Sequence, residues 1–450
     1  MAEEKTESKF AKFRPIQKGD KKTIKAWVMY DWANSVYQLT ILSAIFPIYF
    51  ISVTSSDNGN IISFFGHKVI NTVAYSWSIA IAYLVVALFS PLFSSLADYT
   101  GRRKTFMKVF TIIGAISCGV LFFFDRQHIE LGIIAFTLAT FGYGGSLVFY
   151  NSFLPIIAEP KDQDMISARG YSMGYLGAVI LLVANLIVVL KPDFFGIQDK
   201  TIPAKLAFAS VCVWWLFFSR LTFIRLPKYT FGHRQKGANL FIKGYQELQV
   251  VAKQVFRSRK MTLYLIGFFF VISGILTVMF MAATFGAKEL GLSDTVLIPV
   301  ILIIQIVGMA GAYLFANLSA KWGNFQVLTG LIISWILIVI GAYFIKGAFG
   351  FILIAVLVGL IMGGSQALTR STFSKMIPPE TKNHTSFFSF YDVMEKLATV
   401  AGTFSFGLME TLTGSMRASV LSIIIFFIIG LVFFLFLIGI ESRENAKVIS

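Results

Sequence analysis

Residues 26–50 read AWVMYDWANSVYQLTILSAIFPIYF. At 1.5 Å per residue, about 20 apolar residues cross a hydrocarbon core of about 30 Å, so this run is long enough to span a bilayer. It nevertheless carries Asp31, Asn34, Ser35 and Gln38. A charge at the centre of a membrane helix costs at least ~2.5–3.5 kcal/mol on insertion scales. Residues 31, 34, 35 and 38 share one helical face, so the four groups form a polar stripe. Such a stripe belongs against protein or a water-filled cavity. Asn34, Ser35 and Gln38 suit interhelical hydrogen bonding and cavity lining equally. Asp31 points to function or gating, because burying an unneeded acid is costly. Pro47 permits a bend toward the far end of the helix.

Comparable runs recur at about 73–95, 106–124, 130–156, 168–191, 204–226, 262–287, 295–317, 326–345, 349–374, 385–411 and 416–440. With the first, they predict twelve transmembrane helices in an all-α integral membrane protein. The composition agrees, since 56% of the 450 residues are hydrophobic and only 14% are charged, about half the charged fraction of a soluble chain. The net charge of +16 is then a matter of sidedness and not of nucleic-acid binding. An even number of spans puts both termini on one side. Only eight of the 39 Lys and Arg fall on the opposite side: Lys68, Arg126, Lys191, Lys200, Lys205, Lys288, Lys346 and Arg417. The positive-inside rule therefore predicts cytoplasmic termini.

The longest loop on that side, at 227–261, divides the chain into six spans and six. It is basic, with Lys228, Arg234, Lys236, Lys243, Lys253, Arg257, Arg259 and Lys260, and Phe241, Tyr245, Leu248, Ala252 and Val255 recur at helical spacing. This predicts either an amphipathic helix lying on the inner membrane surface or a plain connector helix. The expected organisation is a basic tail at 1–25, a six-helix bundle at 26–226, the linker at 227–261, a second bundle at 262–440 and a tail at 441–450. The halves echo one another: GGS at 144–146 returns at 363–365, and at the same offset of 219 Ser152 matches Ser371, Pro160 matches Pro379 and Ser167 matches Ser386. Parallel six-helix repeats joined on one side are the layout of the major facilitator superfamily.

Three further stretches carry chemistry. Residues 94–104, SSLADYTGRRK, place Asp98, Gly101, Arg102, Arg103 and Lys104 on a short turn, where an acid at one helix end can face the positive N-terminus of another. Residues 386–402, SFFSFYDVMEKLATVAG, hold Asp392, Glu395 and Lys396 inside the eleventh span. Asp392 and Lys396 are four apart and can pair, leaving Glu395 as a surplus acid. Either the pair is structural, or Lys396 meets an anionic substrate group while an acid carries a proton. Residues 363–378, GGSQALTRSTFSKMIP, add Gln366 and put Arg370 at the inner gate.

SSLADYTGRRK resembles the facilitator signature between the second and third helices, departing from it at Ser94 and Tyr99. That resemblance implies that Asp98 steadies an outward-facing state against the eleventh helix. The matching loop of the second half, NLSAKWGN at 317–324, has Ala320 in place of the acid. Together with YNSFLPIIAEP at 150–160 and GYSMGYLGA at 170–178, these segments resemble the bacterial "unknown major facilitator" family, related to the fungal autophagy-linked vacuolar amino-acid effluxers. The family's acid and Phe-Gly before the eleventh-helix Tyr are absent from TSFFSFYD at 385–392.

The resemblance implies a secondary transporter that works by alternating access and exports small polar metabolites such as amino acids, with protons as candidate coupling ion. Transport of sugars, drugs or lipids, or a transporter-like receptor, are the alternatives. The expected substrate-binding or coupling residues are Asp31, Asn34, Ser35, Gln38, Asn151, Gln366, Asp392, Glu395 and Lys396. The expected gating residues are Asp98, Gly101, Arg102, Arg103 and Arg370. No G-x-x-x-x-G-K-[ST] or H-E-x-x-H occurs, so neither a nucleotide-driven pump nor a zinc hydrolase is indicated. Cys118 and Cys212 lie in separate apolar runs and read as small core residues. The expectation is a monomer in a bacterial cell membrane, with no enzyme activity, cofactor, metal or nucleic-acid partner.

Overall fold

Asp20 starts the first span, its carboxylate accepting from the backbone N–H groups of Lys22 and Thr23. The computed structural model describes residues 17–55, 61–227 and 240–449. The basic tail up to residue 16, and Lys228, Arg234 and Lys236 of the linker, lie outside them. The first span runs as a helix at Lys21–Val36, a π-helical stretch at Tyr37–Ile45 and a helix at Phe46–Thr54. Pro47 cannot donate to the carbonyl of Ser43 and its ring crowds that carbonyl. The wider π turn relieves the conflict, so the irregularity expected near Pro47 comes as a π segment directly before it.

The second to twelfth spans are Asn71–Thr100, Arg103–Val120, Ile129–Asn151, Gln163–Leu190, Ile202–Arg225, Arg259–Lys288, Asp294–Trp322, Asn324–Phe344, Gly347–Met376, His384–Thr413 and Met416–Ile449. Among the described residues, eleven of the twelve spans are long and apolar enough to cross a membrane by composition alone. The eleventh is as long but carries Asp392, Glu395 and Lys396. A two-stranded antiparallel hairpin, β1 at Ile61–Phe64 and β2 at His67–Ile70, joins the first two spans. Phe65 and Gly66 turn it with φ of 48° and 80°, the left-handed pair that tight hairpins need. The apolar runs predict helices on either side and no element between them. A Phe at the first turn position is a weak hairpin signal.

One apolar core cluster belongs almost wholly to the last six spans and two to the first six. Across the divide, Ala168, Ala312, Ala316 and Ala367 form a thin seam where the fifth span meets the eighth and tenth. Small side chains let membrane helices approach closely. The fifth span also packs tightly on the first: a Cβ at Gly174 would lie 2.4 Å from Ser35 Oγ, and one at Gly177 2.8 Å from the Trp32 carbonyl oxygen.

The linker holds a helix at Leu240–Arg257. Gly244 packs on Leu96 of the second span, while Val251 and Val255 are buried in the core of the last six spans. Tyr245, Ile242 and Phe256 face outward. Glu247 accepts a hydrogen bond from Asn383 (3.0 Å). The linker helix is thus a brace across both halves.

Candidate functional site: a polar cavity between the halves

The polar stripe of the first span opens into a cavity of about 1200 Å³, counting the space open to solvent. It lies between the two sets of six spans. Asp31, Asn34, Ser35, Gln38, Asn151, Gln366, Asp392, Glu395 and Lys396 all line it, and so does Arg370. The structure therefore gathers every expected substrate or coupling residue around one space. It also adds five tyrosines, Tyr83, Tyr143, Tyr171, Tyr175 and Tyr391. In the sequence these look like ordinary aromatic core positions.

Asp31 does not stand alone. Its Oδ2 accepts from the Tyr150 hydroxyl at 2.7 Å and from both terminal nitrogens of Arg370 at 3.3 Å. Arg370 also donates from Nε to Ser167 Oγ and from Nη2 to the Ser167 carbonyl, each at 2.9 Å. Three rings surround its guanidinium: Trp27, Tyr150 and Tyr171, with centroids at 4.9, 5.6 and 4.1 Å. Aromatic faces attract a cation and keep water away. Gly170 makes room for the pair, since a Cβ there would lie 2.3 Å from Asp31 Oδ2 and 2.8 Å from Arg370 Nη2. Arg370 also reaches Asn151 Oδ1 at 3.5 Å. These two residues are separated by the same 219 positions as the GGS repeat, so equivalent points of the two halves meet here.

In the eleventh span, Lys396 Nζ lies 3.0 Å from Asp392 Oδ1 and 2.8 Å from Glu395 Oε1. The sequence reading paired Lys396 with Asp392 alone. Adjacent Cβ atoms do diverge by 100° on a helix, but the Glu and Lys chains are long enough to fold back and meet. Lys396 also sits 5.5 Å from the ring centroid of Tyr83. Among the described residues, Asp392 Oδ2 and Asn34 Nδ2 are buried without a hydrogen-bond partner. Gln38 accepts from Tyr143 at 2.9 Å, and Gln366 from Tyr175 at 2.5 Å.

Two polar networks close the cavity at the end of the bundle that carries the chain termini. Asp98 Oδ1 accepts from Arg103 Nε at 2.7 Å and Thr385 N at 3.3 Å. Its Oδ2 accepts from the backbone N–H and the hydroxyl of Ser386, both at 2.8 Å. Arg103 continues to the Lys382 carbonyl. The acid of the second span thus caps the N-terminus of the eleventh, as an anion should. Gly101 makes the turn possible at φ 66°, a conformation costly for a residue with a Cβ. Arg102 is exposed on the same turn.

The second network was not foreseen. Asp164, in the first turn of the fifth span, accepts from Ser319 (2.8 Å), Asn324 (2.9 Å) and Lys375 (2.6 Å). It ties the fifth span to the eighth, ninth and tenth. Ala320 replaces the acid on the eighth span, and Asp164 supplies one from the opposite side of the contact. A search for the signature at its expected place could not find it. The usable signal was an acid in the first turn of a helix, which complements the helix dipole.

A bundle of two sets of six spans around a central polar cavity is the architecture of the major facilitator superfamily. The major facilitator superfamily transporter FucP in its outward conformation has this fold, with a TM-score of 0.69 at 12% identity over 93% of this chain and 99% of that one. The proton:xylose symporter XylE gives 0.69 at 12% over 92% and 94%. The chain belongs to the family of vacuole effluxer Atg22-like proteins, which it matches over residues 19–447. It is 29% identical over 422 residues to YxiO of Bacillus subtilis, described as an uncharacterized MFS-type transporter, covering 91% of this chain and 94% of that protein. Autophagy-related protein 22 of Saccharomyces cerevisiae is 23% identical over 473 residues, covering 88% of each. The protein is thus a multi-pass membrane transporter of the major facilitator type and not an enzyme.

Proposed function

We propose that this transporter exports small polar metabolites, amino acids first among them, from the cytoplasm of a bacterium by alternating access. The observation that carries the reading is the single cavity between the halves, lined by ionisable groups of both and closed at one end by two interhalf networks. The excess of Lys and Arg on the termini side favours cytoplasmic termini. The end closed in the form described is then the cytoplasmic one. The effluxer name of the family favours efflux over uptake, and the resemblance to the vacuolar amino-acid effluxers favours amino acids over sugars. A tyrosine-rich polar cavity suits a solute with both an apolar body and polar ends.

Asp31 and the Asp392–Glu395–Lys396 group are the candidate coupling carboxylates and base. Asn34, Ser35, Gln38, Asn151 and Gln366 are candidate solute contacts. Lys396 spends two of its three N–H groups on acids, leaving one for a solute carboxylate. Asp98, Gly101, Arg102, Arg103 and Arg370 form the gate, and Asp98 and Arg370 must release for the cytoplasmic side to open. Counterflow of a labelled amino-acid mixture in proteoliposomes tests the reading, with Lys396→Ala alongside. Counterflow in the wild type that Lys396→Ala abolishes supports it. Folded wild-type protein that shows none overturns the amino-acid assignment.

A further inference from the structure

The cavity has an imbalance of charge that the interhalf contacts leave uncorrected. Three carboxylates line it, Asp31, Asp392 and Glu395, against two cations, Arg370 and Lys396. With all five ionised, one negative charge remains. Its location follows from the geometry. Asp31 is matched one to one by Arg370, whereas Lys396 answers two acids at once. The excess therefore sits at Asp392 and Glu395.

Two independent features mark this end of the cavity. The Lys396 side chain is 4% exposed, but that of Glu395 is 29% exposed, so the acid and not the base presents itself to the space. Asp392 Oδ2 is buried without a hydrogen-bond partner among the described residues, on a side chain only 4% exposed. A buried carboxylate oxygen without a partner is costly and asks for a donor. Tyr83, Tyr171 and Tyr391 line the same cavity, with Lys396 Nζ 5.5 Å from the Tyr83 ring centroid, and aromatic faces favour a cation over an anion.

We propose that Asp392 and Glu395 bind the ammonium group of the transported solute, so that the carrier takes primary amines and amino acids and rejects acids that lack the amine. The ammonium donates to Asp392 Oδ2 and to Glu395, and an alkyl or aromatic body lies against the tyrosines. Lys396 holds the two acids in place and keeps an empty cavity from carrying two unmatched negative charges. A solute carboxylate is optional in this arrangement; the amine is required. The proposal rests on the transport reading above, and because it concerns equilibrium binding it is tested without flux.

The test uses three probes that share one ring and differ in charge: phenylethylamine, phenylalanine and 3-phenylpropionate. Each is titrated against the purified full-length protein, and the unfolding midpoint is compared with that of the same protein without ligand. The amine and the amino acid should raise the midpoint, and the acid should not. Glu395→Gln should weaken the apparent affinity for both amines by about tenfold or more, the loss expected for one charge-assisted contact. Asp392→Asn, which keeps the shape of the side chain, should do the same. Each variant is referred to its own unliganded midpoint, so a loss of stability does not imitate a loss of binding. Equal shifts from acid and amine, or no shift from any amine, overturn the proposal. A shift from sodium chloride that matches the amine also overturns it, by assigning the acids to an inorganic cation. If amines bind while counterflow of amino acids fails, the amino-acid export reading falls and the ammonium site stands.

Discussion

Arg370 makes its hydrogen bonds to the first span through one oxygen atom. Both of its terminal nitrogens address Asp31 Oδ2, and the ring faces of Trp27 and Tyr171 leave little space for water. Breaking such a buried pair from one side strands the other charge, at a cost of about 3–5 kcal/mol. Asp31→Asn and Arg370→Gln should each lower stability by that order in thermal unfolding. The double variant should lose clearly less than the sum, because the second change removes the charge that the first left stranded. Additive losses would mean that the two groups do not depend on one another. The sequence flagged Asp31 by its cost and placed Arg370 at a gate by its position. It could not join them, because nothing local relates residues 339 positions apart. The same limit hid the tyrosines, whose spacing is that of any helix core.

At the scale of helices, each of the two closing networks between the halves is held by an acid near a helix N-terminus: Asp98 faces the start of the eleventh span, and Asp164 lies in the first turn of the fifth and accepts from side chains of the eighth, ninth and tenth. The Asp98 cap uses two backbone N–H groups and one hydroxyl of the eleventh span. Asp98→Asn removes the charge and the acceptor facing Ser386, so the closed end should open more often. A cysteine placed at Ser152, buried beside Thr385 in the closed form, should then react several-fold faster with a maleimide; an unchanged rate would remove the latch role. Gly170→Ala acts on the same closure by geometry, since its Cβ would overlap Asp31 Oδ2. It should destabilise by about 1–3 kcal/mol, as overpacking does, and Gly170→Ser should be no milder. An Ala variant of wild-type stability would show that the first and fifth spans are looser than described. Most of the elements were readable as apolar runs, and the Asp98 turn as a signature. The hairpin at 61–70 and the Asp164 network were not, since one depends on an unusual turn residue and the other on an acid that has changed sides.

For the whole molecule, the repeat at an offset of 219 was the most informative long-range feature of the sequence. It brings Asn151 and Arg370 together at the centre and relates the fourth span to the tenth. What it could not give was the state of the gate, because the same twelve helices serve both open forms. In the proposed mechanism the closed end is held by Asp98, Asp164 and Arg370 together, and the linker helix rests on both halves. Weakening Asp164 by Asp164→Asn should therefore add to the effect of Asp98→Asn on Ser152 reactivity, since the two networks share no residue; no added effect would make one network sufficient.

The central claim is that one cavity is exposed alternately at its two ends. Spin labels at Lys161 and Glu380, both exposed at the termini end, and at Phe194 and Phe349, both exposed at the other, measure it directly in a cysteine-free protein reconstituted in lipid. The account predicts two distance populations at each end that shift in opposite directions when a saturating amino-acid mixture is added or Asp98→Asn is introduced. A single unchanging distance at either end, or both ends widening together, would contradict it.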